Sequence, residues 1–279
     1  MFTEYLTALE ARANQAIKTE KGDYIDEETG LLFCGRCRTA KQCRVEAFDK
    51  VFYPKCLCQC EQERDAKARE EIEKRDFLER VKRYRTMGFP ESQMQYWTFE
   101  NDDQSRPKLT EMAKRYVNNF DTFYKEGKGL LLHGDVGTGK TYIACMIANA
   151  LIDKGYPVLV TNFARILNTL QGTFERQEYL DSLNQFKLLV IDDLGVERDT
   201  GFAKEQVFNI IDSRYRAGKP MIITTNLSMQ KLATETELSD KRVYDRIIER
   251  CFPVEVSGES RRVKKLISSR EEMKSLLGI

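Results

Sequence analysis

The second half of the chain alternates short apolar runs with segments of helix length. The runs are Leu130–His133, Val158–Thr161, Leu188–Ile191, Met221–Thr225 and Val254–Val256, most of them bracketed by Gly, Pro or Asp. Four or five apolar residues between such breakers read as buried strands. Strands separated by helix-length segments imply a parallel sheet with helices on both faces, the α/β class. After the first run, Tyr142–Asp153 carries an apolar face of Ile143, Met146, Ile147, Ala150 and Leu151, and Gly155 stands where a helix C-cap belongs. A further helix is expected near Leu109–Tyr124.

The first half has a different pattern. Residues 61–85 contain no Gly or Pro and nearly alternate acid with base. Glu70/Lys74, Glu71/Arg75, Asp76/Arg80 and Glu79/Arg83 stand at i,i+4 spacing, which supports a solvated helix. Its apolar stripe is thin (Ile72, Phe77, Leu78, Val81, Tyr84), so it reads either as a helical connector or as a surface helix of the main domain. Before it lie a helix expected over Glu4–Ile17, a polar turn with Gly22 and Gly30, and a cysteine-rich stretch. After it come turn signals at Gly88-Phe-Pro90 and Asn101-Asp-Asp103. The expected organisation is an N-terminal helix and cysteine module over 1–62, a charged helical linker over 63–95, and an ATPase domain over 96–279.

Composition narrows the class. Of 279 residues, 41% are hydrophobic and 32% charged, which suits a folded chain with a charge-rich surface. A net charge of +1 gives no global field, so any nucleic-acid contact must use a local basic patch. No run of 18 apolar residues exists, so no membrane span is expected. Met1–Lys21 carries acids early and lacks the basic-then-apolar order of a secretory signal, so a cytoplasmic protein is expected.

Candidate chemistry begins after the first apolar run. Gly134, Asp135, Val136, Gly137, Thr138, Gly139, Lys140 and Thr141 match the phosphate-binding pattern G-x-x-x-x-G-K-[ST] in full. The glycines let successive backbone N–H groups turn toward an anion, and the helix that follows offers its positive end to the same anion. Lys140 supplies charge to the β- and γ-phosphates of ATP, and the Thr141 hydroxyl is placed for Mg2+. Leu188–Ile191 runs into Asp192 and Asp193. Asp192 is expected to help hold Mg2+, and Asp193 stands where many hydrolases place a Glu to orient water. As an isolated feature, Asp-Asp after a strand also suits a simple turn.

Met221–Thr225 ends in Asn226, which can hydrogen-bond an attacking water or the γ-phosphate; a plain Asn turn is the alternative. Arg242, Arg246 and Arg250 recur at i,i+4 and share one helix face, either solvated or reaching a neighbouring subunit's nucleotide. Arg261 and Arg262 follow the last strand, where one of them can report on the phosphates, or else Ser260 caps a basic helix.

Of eight cysteines, six lie between Cys34 and Cys60. Cys34 and Cys37 form a CxxC knuckle, and Cys56, Cys58 and Cys60 follow about 20 residues on. Two thiolate pairs at this spacing suit one tetrahedral Zn2+. The expected ligands are Cys34, Cys37, Cys58 and Cys60, with Cys56 able to replace one and Cys43 spare. A redox CxxC is the rival, but no thioredoxin-like pattern surrounds it. Arg36, Arg38, Lys41 and Arg44 give the knuckle a basic rim, which reads as solvated surface or as a DNA contact.

Taken in order, Gly129–Thr141, Leu189–Gly195, Ile223–Leu227, Arg242–Ile247 and Gly258–Arg262 resemble the AAA+ ATPase domain of DnaC/DnaI-type replicative helicase loaders, a group related to IstB-type transposition helper ATPases. The resemblance implies a five-stranded parallel sheet and ATP with Mg2+ as ligands. It also implies Asn226 as sensor 1, Arg246 as arginine finger and Arg262 as sensor 2, with Arg261 where the family often has Tyr. It implies an ATP-dependent oligomer that engages a hexameric replicative helicase through the N-terminal module and single-stranded DNA through the ATPase ring. An IstB-type helper, or a nucleotide-gated binding switch with little turnover, is the alternative.

Overall fold

The computed structural model describes residues 19–47, 50–196 and 200–261, together with 270, 273, 274 and 276–278. The helix expected over Glu4–Ile17 and the sensor candidate Arg262 lie outside the described residues. The chain divides into two compact units at Phe77/Leu78. The division falls inside one continuous charged helix, α1 (Gln59–Gly88), which is longer than the 61–85 stretch that predicts it.

The first unit pairs two short antiparallel ladders: β1 (Tyr24–Ile25) with β2 (Leu32–Phe33), and β3 (Val45–Ala47) with β4 (Lys50–Phe52). Its buried apolar residues are few, chiefly Leu32, Cys34 and Cys58. So small a core does not hold a fold by burial alone. The ammonium of Lys41 is buried and bonds Asp23 at 2.7 Å. Lys41 therefore does not belong to the exposed basic rim expected of it; Arg36, Arg38 and Arg44 do lie exposed.

The second unit is a five-stranded sheet in the order β6-β7-β8-β5-β9, with every pairing parallel. Its strands are β5 (Gly129–His133), β6 (Val158–Asn162), β7 (Leu188–Leu194), β8 (Met221–Thr225) and β9 (Cys251–Glu255). Helices α2 (Pro107–Asn118), α3 (Phe120–Glu126) and α4 (Lys140–Asp153) precede and follow β5. Next come α5 (Phe163–Gly172), α6 (Arg176–Leu183), α7 (Gly201–Arg216), α8 (Met229–Ala233) and α9 (Leu238–Arg250). Strand alternation sorts the sheet's side chains into two cores. Leu130, Leu132, Leu188, Val190 and Ile222 pack on the α2–α4 face, while Leu131, Leu189, Ile191, Met221 and Ile223 pack on the α5–α9 face.

Two boundaries differ from the sequence pattern. The single helix expected near Leu109–Tyr124 is broken at Asn119, whose side chain donates to the carbonyl of Arg115 at 2.9 Å and competes with the helix ladder. The last strand begins at Cys251 rather than Val254, with Pro253 inside it. Val256 N–H donates to His133 O, so even-numbered amides face β5 and Pro253's missing N–H faces outward. Pro is tolerated only at such an edge.

Candidate functional site

The phosphate-binding loop lies between β5 and α4, on the C-terminal edge of the sheet where α/β proteins hold ligands. Gly134, Gly137 and Gly139 have φ of 140°, 81° and 95°, a region closed to most L-residues. Gly134 is fixed for a second reason: a Cβ there would sit 2.4 Å from the carbonyl oxygen of Val256. Thr138 is fully buried and its hydroxyl donates to Asp135 O at 2.9 Å, closing the turn. Val136 stands exposed at the tip.

The structure brings the remaining motif residues to this loop. The Lys140 ammonium donates at 2.8 Å to Gly134 O, to Asp135 O and to Asn226 Oδ1. The Thr141 hydroxyl donates to both oxygens of Asp192 at 2.9 and 3.1 Å. A P-loop hydroxyl and a strand-end carboxylate are the residue types that would hold Mg2+ in P-loop NTPases, so the residues present fit the metal. Burial pushes the Asp192 carboxyl above its ordinary value. The Thr224 hydroxyl bond and the neighbouring Lys140 act against that, and the Asp193 charge adds to it.

Asp193 itself has φ of 60°, and the β7–β8 pairing shifts between Ile191 and Leu194 to accommodate it. Its N–H donates to the Thr224 hydroxyl, which in turn donates to Asp192. Thr224 thus holds both acids, a role sequence reasoning did not assign; its place two residues before Asn226 was the available signal. A polar cleft of about 600 Å3 opens beside Asp192, lined by Glu91, Asn162, Arg165, Asn168 and Thr169. The larger cleft of about 1020 Å3 lies around Gly129 and Cys251, at the other end of the strands, and has no part in this chemistry.

Arg246 is not brought to the loop. Its Nε bonds Asp212 Oδ1 at 2.8 Å on α7, and its guanidinium lies over the rings of Phe208 and Tyr215. Arg250 also stacks on Tyr215, whereas Arg242 is exposed. Of the pair Arg261 and Arg262, Arg261 does reach the loop, its N–H donating to Gly137 O at 2.9 Å, and so does Arg106, whose Nη1 donates to Thr138 O. Arg106 stands just before α2, outside every motif, so no local pattern marks it.

In the first unit the sulfurs of Cys34, Cys37, Cys58 and Cys60 all lie within 4.8 Å of one another. Cys34–Cys60 is 3.6 Å and Cys58–Cys60 is 3.4 Å. A tetrahedral Zn2+ with sulfurs at ~2.3 Å needs them ~3.8 Å apart, so the set is close to ligand geometry. Cys37 is held down to about 5 by the Thr39 hydroxyl and the Cys60 amide, and Cys34 is lowered by the amides of Cys37 and Arg36. Such donors favour the thiolates of Cys34 and Cys37, whereas burial pushes the Cys58 thiol up and Cys60 is raised as well, so the ligand reading rests on the convergence of the four sulfurs. Cys56 and Cys43 bond the carbonyls of Ala40 and Pro54 and stand outside the cluster.

A five-stranded parallel sheet with this loop, this acidic strand end and this Asn defines a P-loop ATPase fold of the AAA+ type. The chain belongs to the IstB-like ATP binding protein family, whose profile matches residues 67–269. It is 29% identical to the replicative helicase loader DnaI of Bacillus subtilis, over 59% of this chain and 58% of that protein. It is 30% identical to the replicative helicase loader DnaC of Escherichia coli, over 54% of this chain and 62% of that protein. The chain therefore spans about three fifths of the length of these curated relatives. An ATP-binding protein of a Mycobacterium tuberculosis insertion sequence is 26% identical over 70% of this chain and 78% of its own. Among solved structures, a DnaI crystal structure superposes with a TM-score of 0.53 at 27% identity, covering 64% of this chain and 99% of that one. The DnaC helicase loader gives 0.52 at 24% identity, covering 60% and 100%, a likeness of fold. Among the described residues no helix is long and apolar enough to cross a membrane.

Proposed function

We propose that this chain is an ATP-hydrolysing loader that helps place a hexameric replicative helicase on single-stranded DNA. The observation that carries the reading is the joint placement of Lys140 on Asn226 and of Thr141 on Asp192 at one loop. The helicase enters from the two relatives named as replicative helicase loaders. In this reading Lys140 leaves the loop carbonyls to neutralise the β- and γ-phosphates. Thr141 and Asp192 hold Mg2+, which when bound neutralises charge on the phosphate oxygens. Asn226 and Asp193 orient and polarise the attacking water. Arg246 acts on a neighbouring subunit's nucleotide in an ATP-dependent oligomer, and Arg262 serves as the sensor of its own. Cys34, Cys37, Cys58 and Cys60 bind one Zn2+ that stabilises the helicase-facing module. The ring of Phe174, in the loop between α5 and α6, is fully exposed and offers a stacking platform for a DNA base.

A second reading, an IstB-type transposition helper, is favoured by the insertion-sequence relative, which matches more of this chain than either loader does. One experiment separates them. The full chain with ATP and Mg2+ is offered a purified hexameric replicative helicase and, separately, an insertion-sequence transposase, with turnover followed on adding single-stranded DNA. Helicase capture with DNA-dependent turnover supports the loader. Transposase capture with the helicase ignored replaces it by the second reading.

A further inference from the structure

We infer that Arg106 and Arg261, closed by Asp103, form a clip outside the phosphate-binding loop that aims two of its amide donors and so governs how long a nucleotide stays bound. The inference rests on the reading of Gly134–Thr141 as the ATP site. It concerns residues of this chain that lie outside the loop motif.

The chain leaves β9 with Val256 N–H donating to His133 O at 2.7 Å and then crosses the loop. Arg261 N–H donates to the carbonyl of Gly137 at 2.9 Å. From the other side, Arg106 Nη1 donates to the carbonyl of Thr138, and its Nη2 donates to Glu259 O at 3.3 Å. Two consecutive carbonyls of the loop are therefore held by donors that do not belong to it. A peptide unit is planar and trans, so its N–H points opposite to its C=O. Holding the Gly137 carbonyl aims the Thr138 amide, and holding the Thr138 carbonyl aims the Gly139 amide. Both amides turn to the other side of the loop, where successive N–H groups form an anion nest. Gly137 and Gly139 are free to rotate, so the loop's own sequence does not impose this direction.

The clip is closed by charge. Arg261 Nη2 bonds Asp103 Oδ1 at 2.9 Å and Ser105 Oγ at 2.8 Å, and its guanidinium lies over the Tyr142 ring. The contact with the loop is tight: a Cβ on Gly137 would sit 2.1 Å from Ser260 Oγ. Arg261 Nε is buried and, among the described residues, has no hydrogen-bond partner. It lies 3.4 Å from where a Cβ on Gly139 would stand. Buried donors are as a rule partnered, so, with the loop read as the ATP site, this N–H is placed to donate to a nucleotide oxygen. Arg261 brings a positive charge to the loop, and the acidic turn Asn101-Asp-Asp103 matches it, with Asp102 at 3.7 Å and Asp103 at 2.9 Å.

The test is stopped-flow displacement of fluorescent ATP and ADP analogues from the full chain with Mg2+. Arg106→Ala should release nucleotide about 10-fold faster, equivalent to ~1.4 kcal/mol. Asp103→Ala and Ser105→Ala should do so about 3-fold faster, and Asp103→Glu should restore the slow rate. Asp103 sits on an exposed turn, so thermal unfolding without nucleotide should not change; a mere structural role would shift unfolding and leave Asp103→Glu unable to rescue. Release within about twofold of wild type in both Arg106→Ala and Asp103→Ala overturns the clip. Lys140→Ala separates the two levels: nucleotide binding that survives it overturns the ATP-site reading itself, whereas binding lost in it alongside unchanged release in both Arg106→Ala and Asp103→Ala overturns only the clip.

Discussion

Asp193 explains its own identity through its backbone. At φ of 60° it occupies the left-handed region, where Asn and Asp are several-fold enriched over other non-glycine residues. The usual Glu is disfavoured by the local turn, so the shorter acid is what the bulge in β7 accepts. Asp193→Glu should therefore destabilise the ATPase unit by ~1 kcal/mol and fail to raise turnover, as thermal unfolding and an ATPase assay will read. Asp193→Asn keeps the conformation and removes the carboxylate. It should bind ATP normally and lose turnover by about 100-fold; unchanged turnover would take the water-polarising role away from Asp193. Asp23 makes a second case at this scale. The Lys41 ammonium and the amides of Glu20 and Gly35 hold it down to about 2, below its ordinary 3.8. A depressed carboxyl contributes stability above pH ~4 that is lost as pH falls toward 2. Asp23→Asn should abolish that pH dependence and leave the buried Lys41 cation with Glu20, 3.8 Å away, as its remaining paired carboxylate among the described residues. The NMR shift of the Gly35 amide, which donates to Asp23, reports the titration.

Helix α9 lays Arg246 and Arg250 against α7 and leaves Arg242 exposed. Arg246 is partly buried and shares Asp212 with Arg216, which also sits 2.8 Å from that carboxylate. For Arg246 to reach a second subunit it must leave a charge-assisted bond worth ~1–3 kcal/mol. Arg246→Ala should cut turnover by about 1000-fold at unchanged ATP affinity, the size expected of a trans arginine. Asp212→Ala should free the side chain and shift the rise of turnover to lower protein concentration. An unaltered concentration dependence would show that Asp212 does not restrain it. The same scale shows what patterning reads well. Four strands were legible as apolar runs because each is buried on both faces. The start of β9 was not, because Phe252 is 70% exposed and Pro253 imitates a loop. Only its place at the sheet edge makes both tolerable. The break at Asn119 was missed for a related reason, since helix periodicity carries through a residue whose side chain happens to bond the backbone.

At the scale of the molecule the two units hold themselves together by different means. The ATPase unit has two extensive apolar cores; the first unit has short ladders, the Lys41–Asp23 pair and four convergent sulfurs. Chelation should therefore unfold the first unit while leaving the fluorescent-nucleotide affinity of the second intact. Metal analysis should give one Zn2+ per chain. Cys58→Ser should lose it and Cys56→Ser should retain it; zinc loss in Cys56→Ser would refute the assigned ligand set. The amino-acid sequence by itself determined the parallel α/β class, the phosphate loop, its partners Asp192 and Asn226, and the four sulfurs. The class, the loop and the sulfurs follow from local periodicity and from spacings that chemistry constrains, while Asp192 and Asn226 are marked by polar residues at the ends of apolar strands and by the resemblance in motif order. Tertiary structure alone decided that Lys41 is buried, that Arg246 rests on Asp212, that Arg106 reaches the phosphate loop, and that Arg261 closes on Asp103. Each of these depends on a charge meeting a partner far along the chain, 158 residues apart for Arg261 and Asp103. No local pattern records such a meeting, because a charged side chain looks the same in sequence whether water or a distant carboxylate neutralises it.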